Sequence, residues 1–179
     1  IGELALPDFE DYDLSSLRTG VMAGSPCPVE VMKQCIERMH MSDVTICYGM
    51  TETSPVSTQT LPDDSLMHRT ETVGRAHPHV EIRIADPETG ATIERGETGE
   101  FCTRGYSVMS GYWNDPNKTA EAIDDEGWMH TGDLAVMAED GYVNIVGRIK
   151  DMIIRGGENV YPREIEEFLY THPDIEDVQ

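Results

Sequence analysis

The chain has 179 residues, 34 of them acidic and 13 basic, for a net charge of −21. Apolar residues make up 39%, and the 16 glycines bring that set to about 48%, an ordinary globular value that excludes disorder and collagen-like repeats. No apolar run approaches the roughly 18 residues of a membrane span, and so negative a surface repels phosphate backbones and anionic lipid, which excludes broad nucleic-acid binding.

Residues 1–16 are acidic and loop-like. Residues 17–22 are a short strand candidate running into Ala23-Gly24-Ser25-Pro26, a turn with helix-start chemistry. Val29, Met32, Ile36 and Met39 recur at helical spacing and predict an amphipathic helix over 28–40. Residues 43–48 form a mostly apolar strand stopped by Gly49, and strand, helix, strand in this order predicts the end of an α/β sheet. From Thr72 onward the pattern changes to short strands at 79–85, 99–104, 134–137 and 142–146, separated by dense turn signals such as Ala138-Glu139-Asp140-Gly141. Asp115-Pro116 starts a short helix carrying Thr119, Ala120 and Ile123. This stretch predicts a β-rich subdomain. A strand at 151–154, a glycine loop and a helix over 162–170, with Pro162 in its first turn, complete the chain.

Four polar clusters could carry chemistry. Tyr48-Gly49-Met50-Thr51-Glu52-Thr53-Ser54 follows an apolar strand, the place where sheet ligands bind. There the hydroxyls of Thr51 and Thr53 suit phosphate or carboxylate oxygens, Glu52 suits a magnesium ion and Tyr48 offers a flat face to a base. The same hydroxyls also suit a capped strand-end turn. In Thr131-Gly132-Asp133 the carboxylate can accept both hydroxyls of a ribose, although a capped turn explains the triplet equally well. Gly147-Arg148-Ile149-Lys150-Asp151 adds two cations, and Arg155-Gly156-Gly157-Glu158-Asn159 reads as a glycine loop between a strand and a helix. That loop lacks the spacing and lysine of a Walker phosphate loop, so it suits a thin ligand arm or a plain left-handed turn. The cysteines Cys27, Cys35, Cys47 and Cys102 form no C-x-x-C pair and read as buried thiols of a reducing compartment.

The order and wording of these clusters resemble the adenylate-forming acyl-CoA synthetase family, most of all its medium-chain fatty acyl-CoA branch. The resemblance rests on 48–53, on Gly105 through Tyr112-Trp113 and Asp115-Pro116, on 131–133, and on 147–151 with 155–162 and Glu164-Ile165-Glu166. It implies an α/β fold with a β-rich, distorted barrel-like subdomain: the late part of a large AMP-binding domain over 1–149, and the beginning of a small α+β domain over 150–179. It implies that Gly24 and Ser25 line an adenine pocket, that Tyr48 stacks on adenine beside Gly49, and that Thr51 meets the α-phosphate and acyl carboxylate. Glu52 would be the magnesium-associated carboxylate, Asp133 the ribose ligand and Arg148 a nucleotide contact. Lys150 would be a hinge, and Gly156 and Gly157 would flank a pantetheine tunnel.

The implied reaction uses ATP, Mg2+ and CoA: a fatty carboxylate forms acyl-AMP and pyrophosphate, and a CoA thiol then displaces AMP. The implied partners are these small molecules. The family's Ser/Thr/Gly-rich phosphate loop and its C-terminal adenylation lysine are absent from these residues, and Lys150 is not that lysine. The chain also starts at Ile1 and stops in acidic sequence. The expectation is an internal piece of a longer intracellular enzyme, cytoplasmic by default unless an upstream segment directs it to an organelle, and inactive alone. Competing readings are an aryl-acid or carrier-protein acyl ligase, and a non-catalytic nucleotide-binding remnant.

Overall fold

Strands β1 (Thr19–Met22) and β2 (Asp43–Tyr48) run parallel, with Thr19 opposite Asp43 and Met22 opposite Ile46. Parallel neighbours need a crossover, and helix α1 (Val29–Arg38) supplies it. Its Met32 is fully buried with Val44 and Ile46, packed round by Met22, Ile36, Met41 and Val73. Of the stripe expected from the sequence, Met32 and Ile36 enter this core, whereas Val29, in the first turn, is exposed and Met39 lies just past the helix end. The computed structural model describes residues 2–25, 28–156 and 158–169, together with His172, Ile175 and Val178.

Two further strands of two residues each, β3 (Thr58–Gln59) and β4 (Arg75–Ala76), extend this sheet antiparallel in the order β1-β2-β3-β4. Between them lies helix α2 (Leu66–Glu71), started by the Ser65 hydroxyl, which accepts the His68 N–H.

The β-rich part is an antiparallel meander of β5 (Val80–Ala85), β6 (Thr98–Gly105), β7 (Met129–Met137) and β8 (Val143–Arg148). Short helix α3 (Pro116–Ala122) sits in the β6–β7 connection, capped by the Asp115 carboxylate accepting the Lys118 N–H. Ile84, Phe101, Ala135 and Val143 form the core of the meander, and Tyr48 from the first sheet packs against it. Val73 packs into both cores, and its backbone N–H donates to the Val143 carbonyl at 2.8 Å. The two sheets thus share a seam.

Beyond β8, the 3-10 turn Ile149–Asp151 leads to an antiparallel hairpin of β9 (Ile153–Arg155) and β10 (Glu158–Val160), and then to α4 (Pro162–Leu169). The glycine loop read between a strand and a helix is therefore a hairpin turn, because residues 158–160 pair back on 153–155. The strand placed at 134–137 starts five residues earlier, at Met129, so Thr131-Gly132-Asp133 belongs to a strand and not to a connecting turn. Cys35, Cys47 and Cys102 are free, buried thiols, as read from the sequence; Cys27 lies outside the described residues.

Candidate functional site

The carboxyl ends of the parallel strands β1 and β2 lie side by side, which brings Gly24-Ser25 and Tyr48-Gly49 to one edge of the sheet. Gly24 has φ +86°, and its surroundings are open; Ser25 is exposed. Gly49 is a different kind of glycine. A Cβ there would stand 1.8 Å from the Pro55 carbonyl oxygen and 2.9 Å from Val56 Cα, so the backbone after β2 folds back too closely for any side chain.

The fold-back is held by the 3-10 turn Thr51–Thr53. The fully buried Thr53 hydroxyl accepts the Met50 N–H at 3.0 Å and lies within 3.2 Å of the Pro55 carbonyl. Thr53 thus caps the turn, the structural alternative allowed by the sequence. Thr51 is exposed, and among the described residues no protein hydrogen bond engages its hydroxyl. Glu52 is tied on both sides: its carbonyl accepts the Met109 N–H at 2.8 Å, and its Oε1 accepts the Tyr112 hydroxyl at 2.9 Å.

Asp133 stands in a β-bulge. Across β6 and β7, Cys102 pairs with His130 and Glu100 pairs with Leu134. Only Phe101 lies between the first pair members, whereas Thr131, Gly132 and Asp133 lie between the second. The extra residues leave the ladder, and side chains take over its hydrogen bonds: the Thr131 hydroxyl donates to the Phe101 carbonyl at 2.7 Å, and Gly132 N–H donates to Glu100 Oε1 at 3.0 Å. Gly132, at φ +73°, makes the required left-handed step.

The bulge aims Asp133 between two partners. Tyr48 Oη donates to its Oδ2 at 2.6 Å, and Arg148 Nε, its register partner on β8, lies 3.2 Å from Oδ1. The carboxylate is 17% exposed while the Arg148 side chain is 59% exposed. The Tyr48 ring is half-buried and meets Phe101 edge-on at 4.8 Å. Burial, followed by the Asp133 charge, pushes the Tyr48 phenol far above its ordinary value, so it remains a donor.

Sequence reasoning missed Glu100, His130 and Tyr112 as site-shaping residues. Glu100 and Cys102 are buried, and His130 Nδ1 lies 2.7 Å from Glu100 Oε2 and 3.6 Å from Cys102 Sγ. Among the described residues this is the one Cys/His/carboxylate group whose possible ligand atoms converge, within 4.8 Å. Each of these atoms already has a partner inside the group, so its present arrangement is a closed hydrogen-bond network. Burial and then the Glu100 charge push the Cys102 thiol up to about 12. Alternation along the strand at 99–104 was the available signal, since it puts 100 and 102 on one face.

The remaining assigned residues lie beyond Arg148 in the chain. Lys150 is exposed in the turn that follows Arg148 by two residues. Gly156, at φ +66°, forms the exposed tip of a separate two-stranded sheet, and Gly157 lies outside the described residues.

Residues 3–113 match the sequence profile of the family described as AMP-binding enzyme. The chain is 64% identical over 179 residues to the putative acyl-CoA synthetase YngI of Bacillus subtilis (strain 168), covering 100% of this chain and 33% of that protein. It is 51% identical over 173 residues to the mitochondrial medium-chain acyl-CoA ligase ACSF2 of Macaca fascicularis, covering 97% of this chain and 28% of that one. A solved structure of the anthranilate CoA ligase AuaEII in complex with anthranoyl-AMP superposes with TM-score 0.85 at 31% identity, over 98% of this chain and 33% of its own. The chain therefore spans about a third of the length of the relatives it matches.

Proposed function

The chain belongs to the AMP-binding enzyme family, and from that premise we propose that the whole protein activates a medium-chain fatty acid with ATP and passes it to CoA. Its α/β architecture, with a β-rich antiparallel part, is that of these ligases. The observation that carries the reading is Asp133, re-aimed by a bulge and held by Tyr48 and Arg148 beside the carboxyl end of β2. A carboxylate offers about four lone-pair sites, and two are occupied here, so each oxygen retains a site for one ribose hydroxyl.

In this reading Tyr48 offers its ring to the adenine, with Gly24, Ser25 and Gly49 shaping that edge, and Arg148 contacts the nucleotide. The exposed Thr51 hydroxyl meets the α-phosphate and the acyl carboxylate. Glu52 fits a magnesium ion, because Mg2+ in such sites takes one or two carboxylates and fills its shell with substrate phosphates and water. When bound, the ion neutralises charge on the phosphates. A carboxylate oxygen of the acid bonds to the α-phosphorus as the bond to pyrophosphate breaks. The CoA sulfur then bonds to the acyl carbon, its proton is lost, and AMP leaves. Neither step uses a covalent link to the protein, so these residues act by positioning and charge stabilisation.

Residues 150–179 are read as the start of a smaller domain hinged at Lys150, with Gly156 and Gly157 beside the pantetheine arm. Use of CoA places the protein inside the cell, and among the described residues no helix is long and apolar enough to cross a membrane. The test is acid-dependent pyrophosphate release by the full-length protein across fatty and aryl acids. Release strongest with medium-chain fatty acids supports the reading. Release strongest with aryl acids assigns a different acid, and AMP binding without release for any acid identifies a nucleotide-binding remnant.

A further inference from the structure

We infer that Glu100 is a positioning residue for the nucleotide: its carboxylate clamps the β7 bulge and so sets where Asp133 points. This rests on the reading of Asp133 as the ribose ligand. Three features of the fold make the clamp necessary. The bulge removes Thr131, Gly132 and Asp133 from pairing with β6, so the Gly132 N–H finds no backbone partner on that strand. Gly132 is half-buried, and an amide shielded from water and left unpaired is costly; Glu100 Oε1 is the acceptor that meets it, at 3.0 Å. Gly132 itself is at φ +73° with nothing within 4 Å of where a Cβ would stand, so no packed side chain fixes the step immediately before Asp133.

The second carboxylate oxygen reaches the other side of the bulge. Oε2 lies 2.7 Å from His130 Nδ1, and His130 Nε2 lies 3.5 Å from Asp124 Oδ2. Asp124 is itself fixed, its Oδ1 accepting the N–H groups of Glu126 at 2.9 Å and Trp128 at 2.8 Å. One buried side chain thus binds the residue before the bulge and the residue inside it, and the far end of the chain of bonds is anchored in the β6–β7 connection. A rigid support of this kind holds the Asp133 oxygens where Tyr48 and Arg148 meet them.

The test uses the full-length protein with Glu100→Asp, Glu100→Gln and Asp133→Asn. Glu100→Asp keeps charge and burial but shortens the reach, so it cannot hold Gly132 and His130 together. Glu100→Gln keeps a carbonyl for the Gly132 N–H and offers an N–H to His130. Glu100→Asp should raise the KM for ATP and its directly measured Kd about tenfold, whereas Glu100→Gln should stay within about threefold of the parent. The KM for CoA should not move in either. A purely structural role would lower the melting temperature of both variants without this split between ATP and CoA. ATP affinity within twofold of the parent in folded Glu100→Asp, with Asp133→Asn weakened, overturns the clamp. Unchanged affinity in Asp133→Asn overturns the ribose assignment instead, and the clamp with it.

Discussion

Asp133 and Arg148 face each other as register partners across the β7–β8 ladder, with Arg148 Nε 3.2 Å from Asp133 Oδ1. The pair is asymmetric: the carboxylate is largely covered and the guanidinium largely in water. Exposed ion pairs contribute little to stability, so the pairing serves the orientation of the carboxylate. In the full-length protein Asp133→Ala should weaken ATP binding by about 1–3 kcal/mol, the usual cost of a lost charged hydrogen bond. The KM for ATP in acid-dependent pyrophosphate release measures this, and an unchanged value refutes the role.

Tyr48→Phe isolates the other partner of Asp133. The change removes the 2.6 Å bond and leaves the ring against Phe101. Its cost should fall near 1–2 kcal/mol of stability, read from chemical denaturation, with a smaller loss of ATP affinity than Asp133→Ala. A larger loss for Tyr48→Phe would mean that the hydroxyl itself touches the nucleotide.

Tyr112→Phe should act on metal dependence. It frees Glu52 Oε1 while leaving the Met109–Glu52 backbone bond in place. Half-saturation in a Mg2+ titration at fixed ATP should shift severalfold while the KM for the acid stays constant. An unshifted titration would remove Glu52 from the metal assignment or show that Tyr112 has no part in orienting it.

Gly49→Ala should damage the fold before it touches the chemistry. The added methyl group lands on the Pro55 carbonyl oxygen, a backbone atom with nowhere to retreat. A destabilisation of about 1–3 kcal/mol is the usual range for such overpacking. A thermal midpoint equal to the parent's would show that the loop relaxes freely.

Cys102 supplies the pH prediction. Its thiol is pushed up to about 12, well above the ordinary thiol range, mainly by burial. Below the unfolded value both states keep the proton, and nothing is lost. As pH rises from there through 12, the unfolded chain sheds a proton that the folded one retains, so stability falls. Mass mapping after brief alkylation at pH 8 should find Cys102 unmodified in the folded protein and modified in denaturant. Rapid labelling of the folded form would contradict the burial.

The elements with long or periodic signals were legible in the sequence: α1 through Met32 and Ile36, with Val29 of the same spacing left exposed, and β2 through its apolar run ending at Gly49. Strands β3 and β4 are two residues long and carry no periodicity, so only their partners define them. The motif residues were legible as residue types, but their geometry was not. Thr131-Gly132-Asp133 has the composition of a turn and becomes a bulge because Glu100, some thirty residues earlier, supplies the missing acceptor. That pairing depends on strand register, which local sequence does not encode. The Arg155-Gly156 stretch likewise became a hairpin through pairing with residues downstream of it.

Val73 lies at the seam of two apolar cores, and its neighbour Gly74 accepts the Val143 N–H at 3.0 Å. A rivet through two plates makes each plate share the load on the other. Heat or denaturant that loosens the parallel sheet therefore loosens the meander as well, and Tyr48 and Asp133, which belong to different sheets, part in the same event. Nucleotide affinity and cooperative melting should then fall together in any variant that hollows out position 73, although that side chain is part of neither the Tyr48–Asp133 bond nor the Asp133–Arg148 pair.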